Sequence, residues 1–219
     1  MNDSPSSYLR ATADAYDAMA VVYADFARDS LGALPLDRAM LAAFADLVRA
    51  RPAGPVAELG CGPGYLTAHL RDLGLDAFGI DLSPVMVGLA REAYPDLRFE
   101  TGSMDALELA DGELGGIVSW YSVIHTPPTE LPPYFDEFRR VLLPGGVLLF
   151  AFFEAGGGPV EAFDHKVTTA YRWPVDELAA LAREAGFVEI GRMLREPLEG
   201  ERFRRGHLLM RADHREQEE

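Results

Sequence analysis

Glu58-Leu59-Gly60-Cys61-Gly62-Pro63-Gly64 carries the strongest chemical signal in the chain. Glycines at alternating positions, after an apolar run and before a helical pattern, let the backbone approach a ligand where side chains would block it. Asp81 lies 23 residues beyond Glu58, close to the spacing at which an acidic residue ending the next strand binds ribose hydroxyls. Alone, the glycines make only a tight turn and the aspartate only a helix cap. In this order and spacing they point to a nucleoside-containing ligand. The G-x-G-x-G spacing departs from the G-x-G-x-x-G of dinucleotide sites. Pro63 offers no N–H to a pyrophosphate and Glu58 is a poor neighbour for one, so the pair suits a ligand with a cationic end.

His125 follows a later strand pattern, on the side where the ligand should lie. An imidazole with an ordinary pKa of ~6.5 suits a general base for a hydroxyl or amine. The alternative is a substrate-orienting or capping histidine beside Pro127 and Pro128. Trp120 and Tyr121 offer aromatic faces to a cation, although strand alternation buries one of two consecutive residues. His165, His207, Tyr134, Tyr171, Arg172 and Trp173 are candidates for the acceptor side. No acidic pair, nucleophile elbow or metal-ligand pattern is present: Asp164 and His165 adjoin but lack further ligands nearby. Metal independence is therefore expected.

These residues need a scaffold, and the hydropathy rhythm supplies one. Tyr8 to about Arg28 and Leu34 to about Ala50 read as amphipathic helices, the second stopped by Arg51 and Pro52. Short apolar runs then alternate with helical patterns. Strands are expected at 56–59, 77–80, 97–101, 116–122 and 147–153. Helices are expected at 65–73, 84–93 and 130–142, with Ser83 capping before Pro84 and a turn at Pro144-Gly145-Gly146. A helix over 175–185 closes at Gly186, and strands 187–193 and 203–210 follow. The fold class is α/β: a doubly wound, seven-stranded, mostly parallel sheet with an antiparallel C-terminal edge hairpin, plus N-terminal helices.

Size and charge exclude other classes. The chain has 219 residues, 48% hydrophobic and 25% charged, enough for one buried core. A net charge of −15 disfavours nucleic acid and anionic membrane surfaces as partners. One cysteine, no secretory leader pattern and no long apolar run favour a cytoplasmic protein. The choice between monomer and homodimer stays open.

Val56-x-Glu58-Leu59-Gly60-Cys61-Gly62-Pro63-Gly64 resembles the first motif of the class I S-adenosylmethionine-dependent methyltransferases, of the small-molecule type. The likeness covers roughly Tyr16 to Phe153, and it is weaker from there to Met210. It implies S-adenosylmethionine as cofactor and S-adenosylhomocysteine as product. It assigns the methionine part to Glu58, Gly60, Cys61, Gly62 and Gly64, and the ribose to Asp81 and Leu82. Thr101-Gly102-Ser103-Met104-Asp105 resembles the segment flanking the adenine, through Ser103 and Met104, although an acidic residue is commoner where Ser103 stands. Ser119-Trp120-Tyr121-Ser122-Val123-Ile124-His125 resembles the motif after the fourth strand, with Trp120 at the cofactor. Tyr16 and Tyr23 resemble the tyrosines of an N-terminal helix that closes over it; core packing is their equal alternative.

The resemblance implies methyl transfer to O or N of a small metabolite by in-line displacement, in a biosynthetic pathway, with His125 as catalytic base. Tyr121, Tyr134, Phe153, Tyr171 and Arg172 are the expected acceptor contacts. It divides the chain into a helical cap (1–50), a cofactor core (51–153), an acceptor-site insertion (154–173), a C-terminal completion of the sheet (174–210) and a charged tail (211–219). The alternatives are a nicotinamide-dependent oxidoreductase, disfavoured by the loop spacing and the lack of a Tyr-x-x-x-Lys pair, and a non-methylating protein that binds the same cofactor.

Overall fold

The computed structural model describes residues 7–28, 30–51 and 54–213. Pro52 and residues 214–219 lie outside them; of the expected tail at 211–219, Arg211 and Ala212 instead end the last strand, Arg211 opposite Val147.

Two helices come first, α1 (Ser7–Ala27) and α2 (Pro35–Arg49). Strands and helices then alternate as β1 (Val56–Leu59), α3 (Tyr65–Asp72), β2 (Ala77–Asp81), α4 (Pro84–Ala93), β3 (Phe99–Thr101), β4 (Leu114–Trp120), α5 (Pro132–Val141) and β5 (Leu142–Glu154). The chain ends with β6 (Glu161–Asp164), β7 (Thr169–Trp173), α6 (Val175–Glu184), β8 (Phe187–Arg195) and β9 (Arg205–Ala212). Strands β3-β2-β1-β4-β5 pair in parallel in that order. Beyond β5, β9 pairs antiparallel from Val147↔Arg211 to Phe153↔Arg205, and β8 pairs antiparallel with β9. Those seven strands are the expected sheet with its edge hairpin.

The sheet has nine strands rather than seven. The other two, β6 and β7, form a hairpin inside the 154–173 insertion and join β5 only at Phe153↔Arg172 and Glu154↔Trp173. Its short, half-exposed strands carry little apolar alternation, so periodicity did not reveal them. β5 also starts earlier than expected. The Pro144-Gly145-Gly146 turn is a bulge inside the strand, marked by a register shift and by φ +78° at Gly145.

Both faces of the sheet are covered, as parallel strands require. On one face Ile117, Leu148 and Phe150 pack against Phe135 and Phe138 of α5 and Leu178 of α6. On the other, Val118, Val147 and Leu149 pack against Phe44 of α2 and Leu66 and Leu70 of α3. No helix among the described residues is long and apolar enough to cross a membrane.

Candidate functional site

The glycine loop is a strained turn that only glycine fits. Gly60, Gly62 and Gly64 have φ of +75°, +51° and +81°. A Cβ on Gly60 would strike the Ser122 side chain, and one on Gly64 would lie 2.7 Å from Phe99 Cζ. At Gly62 the nearest atom to such a Cβ is Tyr23 Cε1, at 3.8 Å, so this residue faces open space beside the α1 tyrosine.

Asp81, at the end of β2, ties this loop to the next one. Its Oδ2 accepts from Gly62 N–H at 2.7 Å, and its Oδ1 accepts from Ser83 N–H at 2.8 Å. Ser83 caps α4, accepting from Met86 N–H at 3.0 Å, and its hydroxyl donates to Asp17 of α1. Burial raises the Asp81 pKa above its ordinary 3.8, opposed by the bonds from Ser83 and Gly62.

The loop, the carboxyl ends of β1, β2 and β4, and α1 line a common cleft. Asp81, Leu82, Ser103 and Met104 line one end, where Ser103 donates to Asp105. Gly60 and Gly62 line its loop side, and Tyr16, Tyr23, Trp120, Tyr121, His125 and Tyr134 close the rest. Trp120 and Tyr121 both reach the cleft because Tyr121 turns at φ +53°, which breaks strand alternation. Their rings meet edge to face at 5.7 Å.

His125 lies in a short 3₁₀ turn after β4 and is 8% exposed. Its Nδ1 is 2.9 Å from the Thr169 carbonyl on β7. A carbonyl only accepts, so Nδ1 carries the proton, and in the neutral ring Nε2 is left with its lone pair. The Tyr16 hydroxyl donates to that nitrogen at 2.8 Å. Burial lowers the His125 pKa below 6.5, against the opposing bond to Thr169. Burial, then Tyr23 and Asp81, hold the Tyr16 phenol well above 10. Neutral imidazole and neutral phenol are therefore the resting forms near pH 7.

Not every expected site residue lines the cleft. Gly64 is the left-handed residue that starts α3. Cys61 is buried against Val87, Ala90 and Phe99. Phe153 is outside the lining, 5.4 Å from the Tyr121 ring and edge to face with Phe163 at 5.2 Å. Arg172 pairs with Glu161 and lies 4.3 Å over Phe203, while Tyr171 packs half-buried against the core. Phe153, Tyr171 and Arg172 thus build the wall behind Tyr121 and His125. The lining also includes Tyr8, Thr12, Ser122 and Thr126, which sequence reasoning did not single out. Tyr8, Thr12 and Tyr16 are spaced by four along α1, and that spacing was the available signal.

Glu58 is buried beneath the loop, where Thr67 donates to it. Burial pushes its pKa from 4.5 up to about 8. Below pH 4.5 the carboxyl is protonated in folded and unfolded chains alike, and between 4.5 and about 8 only the folded chain keeps the proton. Stability from this group is therefore full below the lower value and declines as pH rises through that window. Glu58→Gln, a neutral side chain of the same shape, flattens the decline. Urea midpoints taken across the window test this; parallel curves for the two chains would refute it.

Among the described residues, no group of three or more His, Cys, Asp or Glu side chains could hold a metal ion.

The chain is similar to known methyltransferases. A family model described as "Methyltransferase domain" matches residues 56–146. The demethylmenaquinone methyltransferase of Beutenbergia cavernae is 30% identical over 193 residues, covering 76% of this chain and 79% of that protein. A malonyl-[acyl-carrier protein] O-methyltransferase of Serratia marcescens is 28% identical over 151 residues; the match covers 69% of this chain and about half, 52%, of that relative. Among solved structures, the 1,6-didemethyltoxoflavin-N1-methyltransferase of Burkholderia thailandensis superimposes with a TM-score of 0.73 at 21% identity, over 97% of this chain and 93% of that one.

Proposed function

The chain belongs to the class I S-adenosylmethionine-dependent methyltransferases, and on that premise we propose that it methylates an oxygen or nitrogen of a small metabolite, with His125 taking the acceptor's proton. The observation that carries this reading is the His125 ring, fixed by Thr169 so that Nε2 keeps its lone pair, on a residue that lines the same cleft as Gly60 and Gly62. The relatives' names support a small-molecule acceptor: one acts on demethylmenaquinone, and a structural neighbour was crystallised with 1,6-didemethyltoxoflavin and S-adenosylhomocysteine.

The cleft residues fit the cofactor. Each Asp81 oxygen spends one lone pair on a backbone N–H and has another for a ribose hydroxyl. Leu82, Ser103 and Met104 offer a shelf for a flat base. Gly60 and Gly62 give backbone access to the amino-acid end, while Glu58, buried behind the loop and bonded by Thr67, is outside the lining. Tyr16, Tyr23 and Trp120 surround the middle with aromatic faces, which favour a sulfonium. The bound cofactor supplies a methyl group already activated for displacement. The protein must then align the acceptor, exclude water and remove a proton. Helix α1 covers the cleft, the tyrosines narrow it, and His125 Nε2 accepts the proton.

Calorimetric titration with S-adenosylmethionine, S-adenosylhomocysteine and NADH in parallel tests the cofactor assignment. Micromolar binding of the first two, and none of NADH, is the expected result; binding of NADH alone would refute it.

A further inference from the structure

We infer that the acceptor is an uncharged arene bearing a hydroxyl group, seated with that hydroxyl on His125 Nε2 in the place the Tyr16 phenol takes. This rests on the methyltransferase reading above and specifies its substrate class.

The first argument is charge. At His125 the cleft meets Tyr16, whose hydroxyl bonds Nε2, and the lining also includes Tyr8, Thr12, Tyr121 and Tyr134. Among the described lining residues there is no lysine or arginine, and the sole fixed charge is Asp81. His165, 5.2 Å from the His125 ring, is pushed down to about 4 by burial and then by His125 itself. The two histidines nearest the acceptor are therefore uncharged at neutral pH. Arg172 and Arg205 are not among the lining residues, and Arg205 lies 5.3 Å over the Tyr121 ring. Arg205 reaches Glu201 at 3.3 Å and stacks over Phe153, and Arg172 pairs with Glu161. A carboxylate or phosphate on the acceptor would be desolvated with no cationic side chain in the lining to touch, which disfavours it. An alkylammonium acceptor would find its carboxylate only at the cofactor end, and in that form it has no lone pair to offer.

The second argument is shape and polarity. Tyrosine rings recur in this lining, so a planar ring finds edge and face partners there. The Tyr16 ring meets the His125 ring edge to face at 5.4 Å with its hydroxyl on Nε2. The protein's own phenol thus marks the pose in which an aromatic hydroxyl meets this base. Elsewhere in the lining the Tyr8 and Tyr134 hydroxyls bond at 2.7 Å and offer a polar anchor for a second oxygen substituent. In the reaction the acceptor oxygen forms its bond to the methyl carbon as the carbon–sulfur bond breaks, the electron pair staying on sulfur. The hydroxyl proton passes to Nε2. The products are a methyl ether, the neutral thioether and an imidazolium that returns its proton to water.

The test is equilibrium binding to the full chain saturated with S-adenosylhomocysteine, whose own binding heat checks the cofactor reading separately. The probes are 2-naphthol and 2-naphthoate, which share a ring and differ in charge. Naphthol is expected to bind at least tenfold more tightly than naphthoate. Tyr16→Phe, which keeps the ring and removes the competing hydroxyl, is expected to tighten naphthol at least threefold. Equal or tighter binding of naphthoate would overturn the substrate class, as would binding of neither probe to the saturated protein. Weaker naphthol binding by Tyr16→Phe would overturn its placement on Nε2.

Discussion

Asp81→Ala lowers affinity for S-adenosylmethionine roughly 100-fold while the chain stays folded. The carboxylate does two jobs. It holds the glycine loop through Gly62 N–H and the start of α4 through Ser83 N–H, at 2.7 and 2.8 Å. It also presents its remaining lone pairs to the cleft, where a ribose diol would donate. Hydrogen bonds to a charged acceptor contribute about 1.5–3 kcal/mol each, so the diol contacts alone account for the predicted loss. Asp81→Asn is not a rescue. An amide has one acceptor oxygen, and its NH₂ must face either Gly62 N–H or Ser83 N–H, donor against donor. The fold survives because Ser83 still caps α4 through its hydroxyl, and β2 keeps its pairing with β1 and β3. Burial raises the Asp81 pKa, so wild-type affinity falls with acidification at a higher pH than an exposed aspartate would give. Calorimetry across pH, beside thermal melts of each variant, measures both effects. A loss smaller than threefold in Asp81→Ala would remove Asp81 from the ribose site.

The parts of this molecule that were readable in its sequence are those governed by local rules. The strand-loop-helix around Gly60 to Gly64 was legible because positive φ selects glycine, and Asp81 because it ends the next strand at a fixed spacing. Ser83 was legible as a cap because a serine before Pro84 has few other uses. What stayed hidden depends on contacts between distant segments. That His125 has a fixed tautomer needs the Thr169 carbonyl, 44 residues away, brought over by a hairpin with little hydropathy signal. That Trp120 and Tyr121 both line the cleft needs a left-handed tyrosine, for which no sequence rule exists. Phe153 and Arg172 fall at the carboxyl end of the sheet as expected, yet Phe203 and Glu161 hold them behind the cleft wall. Residue type and topology select a neighbourhood; which side chains face the ligand is decided by packing.

His125→Gln is expected to lower turnover by roughly 100- to 1,000-fold, the range for a lost general base, and to leave cofactor affinity unchanged. The separation follows from the geometry. The two ring nitrogens of His125 bond Thr169 and Tyr16 rather than any of the residues assigned to the cofactor's nucleoside. The pH dependence adds a readout that a merely structural histidine would not give. Only the neutral ring can take a proton, so activity is present above the His125 pKa and lost as pH falls through it. Burial sets that pKa below 6.5, so the acid limb of the wild-type profile lies below the ordinary histidine value. Glutamine does not titrate, so the variant's residual activity loses this limb. A glutamine variant with a raised KM, full kcat and an intact acid limb would make His125 a substrate-orienting residue and would pass proton removal to solvent or to the acceptor's own acidity. A drop in kcat with the limb abolished assigns the proton to Nε2, the atom that Thr169 leaves bare and α1 covers with the hydroxyl of Tyr16.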